Sequence, residues 1–112
     1  MARETDEQLG QLQLMEQNMQ NFVLQKQNFQ MQLMEVESAL NELKETDQAY
    51  KIIGNIMVKS SKEKLDDDLR SKKEMIELRV KTLEKHELKL RERASKLQGE
   101  LLERMKKEGG AK

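Results

Sequence analysis

Residues 50–59 read YKIIGNIMVK, and this stretch decides how the chain of 112 residues folds. Gly54-Asn55 is a two-residue turn signal with glycine first, and β-branched or other apolar side chains dominate the four residues on each side. The stretch therefore predicts a β-hairpin over about residues 50–59. The chain contains no proline, so nothing in its composition prevents long helices on both sides of the hairpin.

Before the hairpin, apolar residues recur at alternating steps of three and four, and nine of ten such positions are apolar. A period of 3.5 residues indicates a coiled-coil seam rather than a strand, and it predicts a helix over about residues 8–46. The seam positions are Leu12, Met15, Met19, Phe22, Lys26, Phe29, Leu33, Val36, Leu40 and Leu43.

After the hairpin the same period returns, with eight of ten seam positions apolar, and it predicts a helix over about residues 61–107. Ser60 followed by Glu63 has the spacing of a capping box, and Gly109-Gly110 is a stop signal for the helix. The second seam is Leu69, Lys73, Ile76, Val80, Leu83, Glu87, Leu90, Ala94, Leu97 and Leu101.

Two heptad helices joined by a tight hairpin predict an α-dominated fold, an antiparallel two-helix coiled-coil hairpin forming a single domain over residues 1–112. Charged residues make up 38% of the chain, which is also compatible with disorder, but two sustained seams favour helices. Residues 1–58 hold 4 basic and 9 acidic residues (net −5), whereas residues 59–112 hold 17 basic and 12 acidic ones (net +5). The two halves should therefore attract each other.

The polar interruptions of the two seams suggest a register. If Leu43 lies opposite Leu69, then Lys26 lies opposite Glu87, so that a basic and an acidic seam residue meet. Polar seam residues can specify register in coiled coils. We therefore predict Lys26–Glu87 as the register pair.

No residue pattern indicates catalysis, a metal or a cofactor. The chain has no cysteine, its single histidine (His86) sits beside the second seam, and Asp66-Asp67-Asp68 lacks the spacing of a calcium loop. Zero net charge gives nucleic acid no overall attraction, and no stretch has the length and apolarity of a membrane span. The N-terminal residues lack the apolar core of a signal peptide, so we expect a cytoplasmic protein that is not an enzyme and binds neither nucleic acid nor membrane.

The hairpin carries more apolar side chains than one face can bury, because alternation places about half of them on each face. Partner hairpins from other subunits would cover both faces; the alternative is that the hairpin folds onto the end of its own coil. The residues predicted to form this oligomerisation hairpin are Tyr50, Ile52, Ile53, Gly54, Ile56, Met57 and Val58.

The ends of the two helices distant from the hairpin in sequence carry leucine and methionine on and off the seams. Flexible methionine suits adaptable apolar surfaces, although Met15 and Met19 can also be explained as ordinary seam residues. We call these positions the tip residues and predict that they bind other proteins. They are Leu9, Leu12, Leu14, Met15, Met19, Leu97, Leu101, Leu102 and Met105.

The spacing Tyr50-Lys51-x-x-Gly54-x-x-x-Val58-Lys59 between two heptad helices resembles the beta-class subunits of prefoldin. Residues 73–85, KEMIELRVKTLEK, look like the second helix of the archaeal members, and there is room for only one hairpin, whereas alpha-class subunits carry two.

The resemblance implies a chaperone subunit in a hexamer of two alpha and four beta subunits, whose hairpins form a β-barrel platform carrying six coiled coils. It further implies that the coil tips hold unfolded client proteins without ATP and deliver them to a group II chaperonin. The alternative function is a structural coiled-coil scaffold or tether that binds one fixed protein partner.

Overall fold

The computed structural model describes residues 2–110, and side chains are described for residues 3–108. Two long helices, α1 (Ala2–Glu45) and α2 (Lys62–Gly110), are joined by an antiparallel hairpin of two strands, β1 (Ala49–Ile53) and β2 (Ile56–Ser60). The predicted fold class is therefore confirmed. Helix α1 begins at Ala2 rather than near residue 8, and α2 continues through Gly109 and Gly110, which were expected to lie beyond its end.

Burial follows the two predicted seams. Every seam position of α1 and α2 is buried or half-buried, whereas most other helical side chains are exposed. The chain divides into two compact units, residues 27–81 and residues 1–26 with 82–112. In the first unit, Val36, Leu40 and Ile76 form a buried cluster. The partly buried side chains packed against that cluster are Phe29, Leu33, Leu69 and Val80.

In the unit formed by residues 1–26 and 82–112, the most buried side chains are Leu101 at 5%, Glu87 at 8% and Thr5 at 9% exposure. Gln8 and Arg104 are also half-buried, so the line of covered side chains extends beyond Leu12 and Leu101 through polar residues. Polar side chains give this last part of the seam less hydrophobic stabilisation than the leucine layers provide.

The hairpin turns at Gly54-Asn55, as predicted. Its five cross-strand pairs run from Ala49 opposite Ser60 to Ile53 opposite Ile56. Gly54 has a φ of 60°, and no non-glycine residue in the described part of the chain has a positive φ. Positive φ at the first turn position alone is the mark of a type II′ turn, which explains why glycine comes first.

The junctions between strands and helices are capped locally. The Ser61 hydroxyl accepts a hydrogen bond from the Lys64 amide at 3.0 Å, so Ser61 is the N-cap of α2. The prediction of Ser60 as the cap, with Glu63 as the third helical residue, is wrong by one position, because Ser60 is held in β2 opposite Ala49. The Lys62 ammonium donates to the Lys44 carbonyl at 3.2 Å and satisfies a free carbonyl at the end of α1.

Replacing Gly54 by alanine should lower the free energy of unfolding by about 1 kcal/mol. The reason is conformational, since an added Cβ would meet no atom within 4 Å but would have to adopt a φ of +60°. Gly99→Ala is the matched control: its Cβ also meets nothing, but its backbone is helical, so this variant should gain about 0.5–1 kcal/mol. Urea unfolding followed by circular dichroism measures both, and equal effects at the two glycines would contradict the turn assignment.

Candidate functional site

The hairpin exposes most of its apolar side chains. The sheet consists of β1 and β2 alone, so one edge of each strand has no hydrogen-bonded partner strand among the described residues. Among the strand residues only Ala49 is buried, at 9% exposure, so the alternative in which the hairpin folds down onto its own coil is not what the structure shows. The exposed side chains are Tyr50 at 51%, Ile52 at 69%, Ile53 at 59%, Ile56 at 66%, Met57 at 65% and Val58 at 44%.

Both faces of the hairpin are apolar. The cross-strand register divides its side chains into two sets. Hairpin face A consists of Tyr50, Ile52, Met57 and Lys59, and hairpin face B of Lys51, Ile53, Ile56 and Val58. Isolated two-stranded hairpins are marginally stable in water, and apolar faces with open edges are a template for pairing with further strands.

A cleft of about 770 Å³ lies between the hairpin and the adjoining ends of the two helices, within the unit of residues 27–81. Its walls combine side chains from α1, β1 and α2 with those of the connecting residues. They are Ala39, Glu42, Leu43, Thr46, Gln48, Ala49, Tyr50, Lys51, Ile52, Leu65, Asp68, Leu69 and Lys72.

The tip residues fall into three groups by exposure. Leu9, Leu14, Leu102 and Met105 are 40%, 58%, 60% and 49% exposed. Leu12, Met15, Met19 and Leu97 are half-buried in the seam, as the seam interpretation of Met15 and Met19 requires. Leu101 is only 5% exposed, so it is covered in this conformation, and its predicted role in binding other proteins stays a prediction.

In the unit of residues 1–26 and 82–112, polar side chains cover the part of the seam that lies beyond Leu12. Glu4 and Arg104 form an ion pair at 3.0 Å, and Thr5 is buried. The Gln8 side-chain oxygen is buried without a hydrogen-bond partner among the described residues. An unsatisfied buried oxygen is unfavourable by about 1–3 kcal/mol, so this closure is weak.

The predicted register pair has different partners in the structure. The Lys26 ammonium lies 3.6 Å from Glu84, whereas the Glu87 carboxylate accepts a hydrogen bond from Arg91 at 2.8 Å on its own helix. Lys73 makes the equivalent cross-helix contact with Glu37, also at 3.6 Å. Both seam lysines thus place their ammonium groups outside the seam, each beside a glutamate of the other helix, since a long lysine side chain can extend to the rim.

Charge reversal separates the observed pair from the predicted one. Lys26→Glu should destabilise the fold by about 0.5–1 kcal/mol, because both partners are partly exposed. Adding Glu84→Lys should restore most of that loss, whereas adding Glu87→Lys should not, since Glu87 is held by Arg91. Thermal unfolding of the original protein and of these three variants measures the effects. If Glu87→Lys restores stability and Glu84→Lys does not, the predicted pair is correct.

The first turns of α2 are acidic, which suits the positive end of the helix dipole. Arg70 donates to Asp66 at 2.8 Å, and this hydrogen bond, followed by the charge of Asp66, raises the pKa of the Arg70 guanidinium. Among the described residues, no cluster of three or more His, Cys, Asp or Glu side chains is arranged to hold a metal ion. Neither helix, over its described length, has an apolar stretch that could cross a membrane.

Comparison with known proteins places this geometry in a family. A family model described as prefoldin subunit matches residues 6–108. A protein named prefoldin subunit beta from Archaeoglobus fulgidus is 41% identical over 96 residues, which cover 83% of each chain. Its counterpart of the same name from Pyrobaculum aerophilum is 40% identical over 97 residues, 83% of this chain and 77% of the relative.

A solved structure agrees with these sequence matches. The crystal structure of the prefoldin beta subunit from Thermococcus strain KS-1 superposes with a TM-score of 0.81 at 35% identity. The match covers 88% of this chain and 89% of that one, so it includes the helices and the hairpin between them. The chain therefore belongs to the prefoldin family, and it is similar in sequence and in fold to the beta subunits of that family.

Proposed function

We propose that this protein is an ATP-independent chaperone subunit of the cytoplasm, a holdase that captures non-native proteins at its tip residues and delivers them to a group II chaperonin. The proposal rests on four apolar tip residues that are exposed, whereas the seam positions beside them are buried or half-buried. The four are Leu9, Leu14, Leu102 and Met105. Non-native client proteins share no sequence, but all of them expose apolar surface. Exposed apolar side chains that form no fixed pocket can therefore bind many different clients.

The hairpin supplies the second half of the proposal. Its two apolar faces and open strand edges fit assembly with other prefoldin subunits, in a hexamer of two alpha and four beta subunits whose hairpins close into a barrel. Assembly matters for capture because several weak tips acting on one client bind far more tightly than one tip does.

This mechanism requires no catalysis and no cofactor. Each tip offers only a few partly exposed side chains, so each contact is weak and can be lost without a chemical step. A client held by many weak contacts can be transferred to another apolar surface one contact at a time.

The direct test is suppression of aggregation by the assembled complex. A chemically denatured enzyme unrelated to this chain is diluted into buffer with increasing complex, and light scattering is followed without nucleotide. We expect dose-dependent suppression that added ATP leaves unchanged. If scattering is unaffected while the complex binds one folded protein tightly, the chain is a scaffold and the proposal is wrong.

A further inference from the structure

Methionine supplies all the sulfur of this chain, which has eight methionines and no cysteine. A peroxide converts the methionine thioether into a sulfoxide, and this change turns a flexible apolar side chain into a polar one. The peroxide must reach the sulfur atom from solvent. The exposure of each methionine therefore decides which of them reacts readily.

Exposure divides the methionines into two groups. Met15 and Met19 are half-buried in the seam, where the side chains around them restrict access to the sulfur atoms. The exposed methionines among residues 3–108 are Met31 at 63%, Met34 at 70%, Met57 at 65%, Met75 at 55% and Met105 at 49%. Met57 lies in the hairpin, where the proposed assembly would cover it. Met105 alone of these five is a tip residue, so its oxidation would act directly on client capture.

Met105 and Leu102 form the exposed part of the tip on α2. They are 49% and 60% exposed, whereas Leu97 is half-buried and Leu101 is 5% exposed. Residues three apart on a helix are neighbours, with about 5–6 Å between their Cβ atoms, so a client segment that covers Leu102 would also cover Met105. Met105 is thus one of the two exposed tip side chains that α2 offers to a client.

A sulfoxide at position 105 would make this surface unfavourable for an apolar client. The sulfoxide oxygen accepts hydrogen bonds from water, and an apolar client segment would displace that water without supplying a donor. Burial of a polar group without a hydrogen bond is unfavourable. Client capture should therefore weaken, whereas the hairpin residues that are proposed to join the subunits are unchanged.

We propose that Met105 is an oxidation site at which a peroxide reversibly lowers client capture. The sulfur atom donates an electron pair to one peroxide oxygen, a sulfur–oxygen bond forms as the oxygen–oxygen bond breaks, and the second oxygen leaves as water. Sulfur loses two electrons and the peroxide gains them. A methionine sulfoxide reductase with a dithiol reverses the reaction, giving the thioether, water and a disulfide. The inference rests on the proposed function of the tip residues and adds a chemical control to it.

The test oxidises the assembled complex with hydrogen peroxide and removes the peroxide by gel filtration. Binding of a labelled, denatured protein is then measured by fluorescence anisotropy, and mass spectrometry of proteolytic fragments measures the sulfoxide at position 105. We expect binding to be at least about threefold weaker after oxidation, because an apolar contact is lost at several tips of one complex. The mass of the complex should not change, and treatment with reductase and dithiothreitol should restore binding.

Two variants show whether Met105 is responsible. Met105→Leu keeps an apolar side chain that peroxide does not oxidise, so its complex should bind equally well before and after treatment. Met75→Leu is the matched control, because Met75 is similarly exposed but is not a tip residue, and its complex should lose binding as the original protein does.

Three results would overturn the inference. They are an equal loss of binding in Met105→Leu, no loss in the original protein when Met105 is fully oxidised, and a fall in the mass of the oxidised complex. Failure of the proposed client capture looks different, because then the untreated complex itself does not bind the denatured protein.

Discussion

A variant carrying Ile52→Asp and Val58→Asp is expected to lose its assembly while remaining a folded helical hairpin. Ile52 lies on hairpin face A and Val58 on hairpin face B, so the two changes put a charge on both faces. Both side chains are exposed in the single chain, at 69% and 44%, so their replacement removes little intramolecular packing. Burying them between subunits should contribute about 1.5–3 kcal/mol each, so assembly should weaken by roughly a hundredfold to ten-thousandfold.

Size exclusion with light scattering measures this loss, and circular dichroism checks that the helices persist. Asn55→Asp is the control, because it adds a charge to the same hairpin at the turn without removing an apolar side chain. We expect the control to assemble normally. An unchanged mass for the double variant would show that subunits join elsewhere.

The second large effect is expected at the tip residues. Leu14→Ser with Leu102→Ser should weaken capture of a denatured protein by at least about tenfold per complex. The reason is that each leucine buried against a client contributes up to about 1.5–3 kcal/mol and several tips act together. The capture assay is co-sedimentation or fluorescence anisotropy with a labelled, denatured protein, and the mass of the complex should not change.

Leu24→Ser with Leu88→Ser is a matched control for that experiment. Leu24 and Leu88 are 62% and 60% exposed, against 58% for Leu14 and 60% for Leu102. The control pair therefore removes the same amount of exposed apolar surface away from the tips. Equal loss of capture in the two variants would mean that clients bind along the coil, and the special role of the tips would be refuted.

Most of the fold could be predicted from the sequence because its signals are local and mutually consistent. The 3.5-residue period identified every seam position that the structure buries between Leu12 and Leu43 on α1, apart from the half-buried Gln32. Gly54-Asn55 predicted the turn because few residues other than glycine adopt a φ near +60° readily.

The errors arise where a polar residue takes a role usually held by an apolar one, or where two equivalent residues are adjacent. Thr5 and Gln8 continue the buried line of α1, but an apolar pattern cannot reveal a polar seam. Ser60 and Ser61 offer the same cap chemistry, and only the strand ladder decides which one is extended. The register pair Lys26–Glu87 stays a prediction, because the ion pair of Lys26 with Glu84 depends on the reach of a flexible side chain, which sequence spacing does not specify.

The candidate surfaces were harder to predict than the fold, because exposure depends on how far the seam extends. Leu101 and Leu102 were both predicted to be tip residues, but only Leu101 is a seam position, and the two are 5% and 60% exposed because neighbouring helical positions point about 100° apart. The cleft beside the hairpin gave no signal in the sequence, because its walls come from three elements and the residues that connect them.

The central claim, that the tip residues are where clients are held, is tested most directly by site-specific photo-cross-linking. A photoreactive residue is placed at Leu102 in one complex and at Leu88 in another, two positions on α2 with the same 60% exposure and a separation of two heptads. With a denatured protein present, we predict client adducts from position 102 and at least fivefold fewer from position 88. Equal yields, or a higher yield at position 88, would contradict the account.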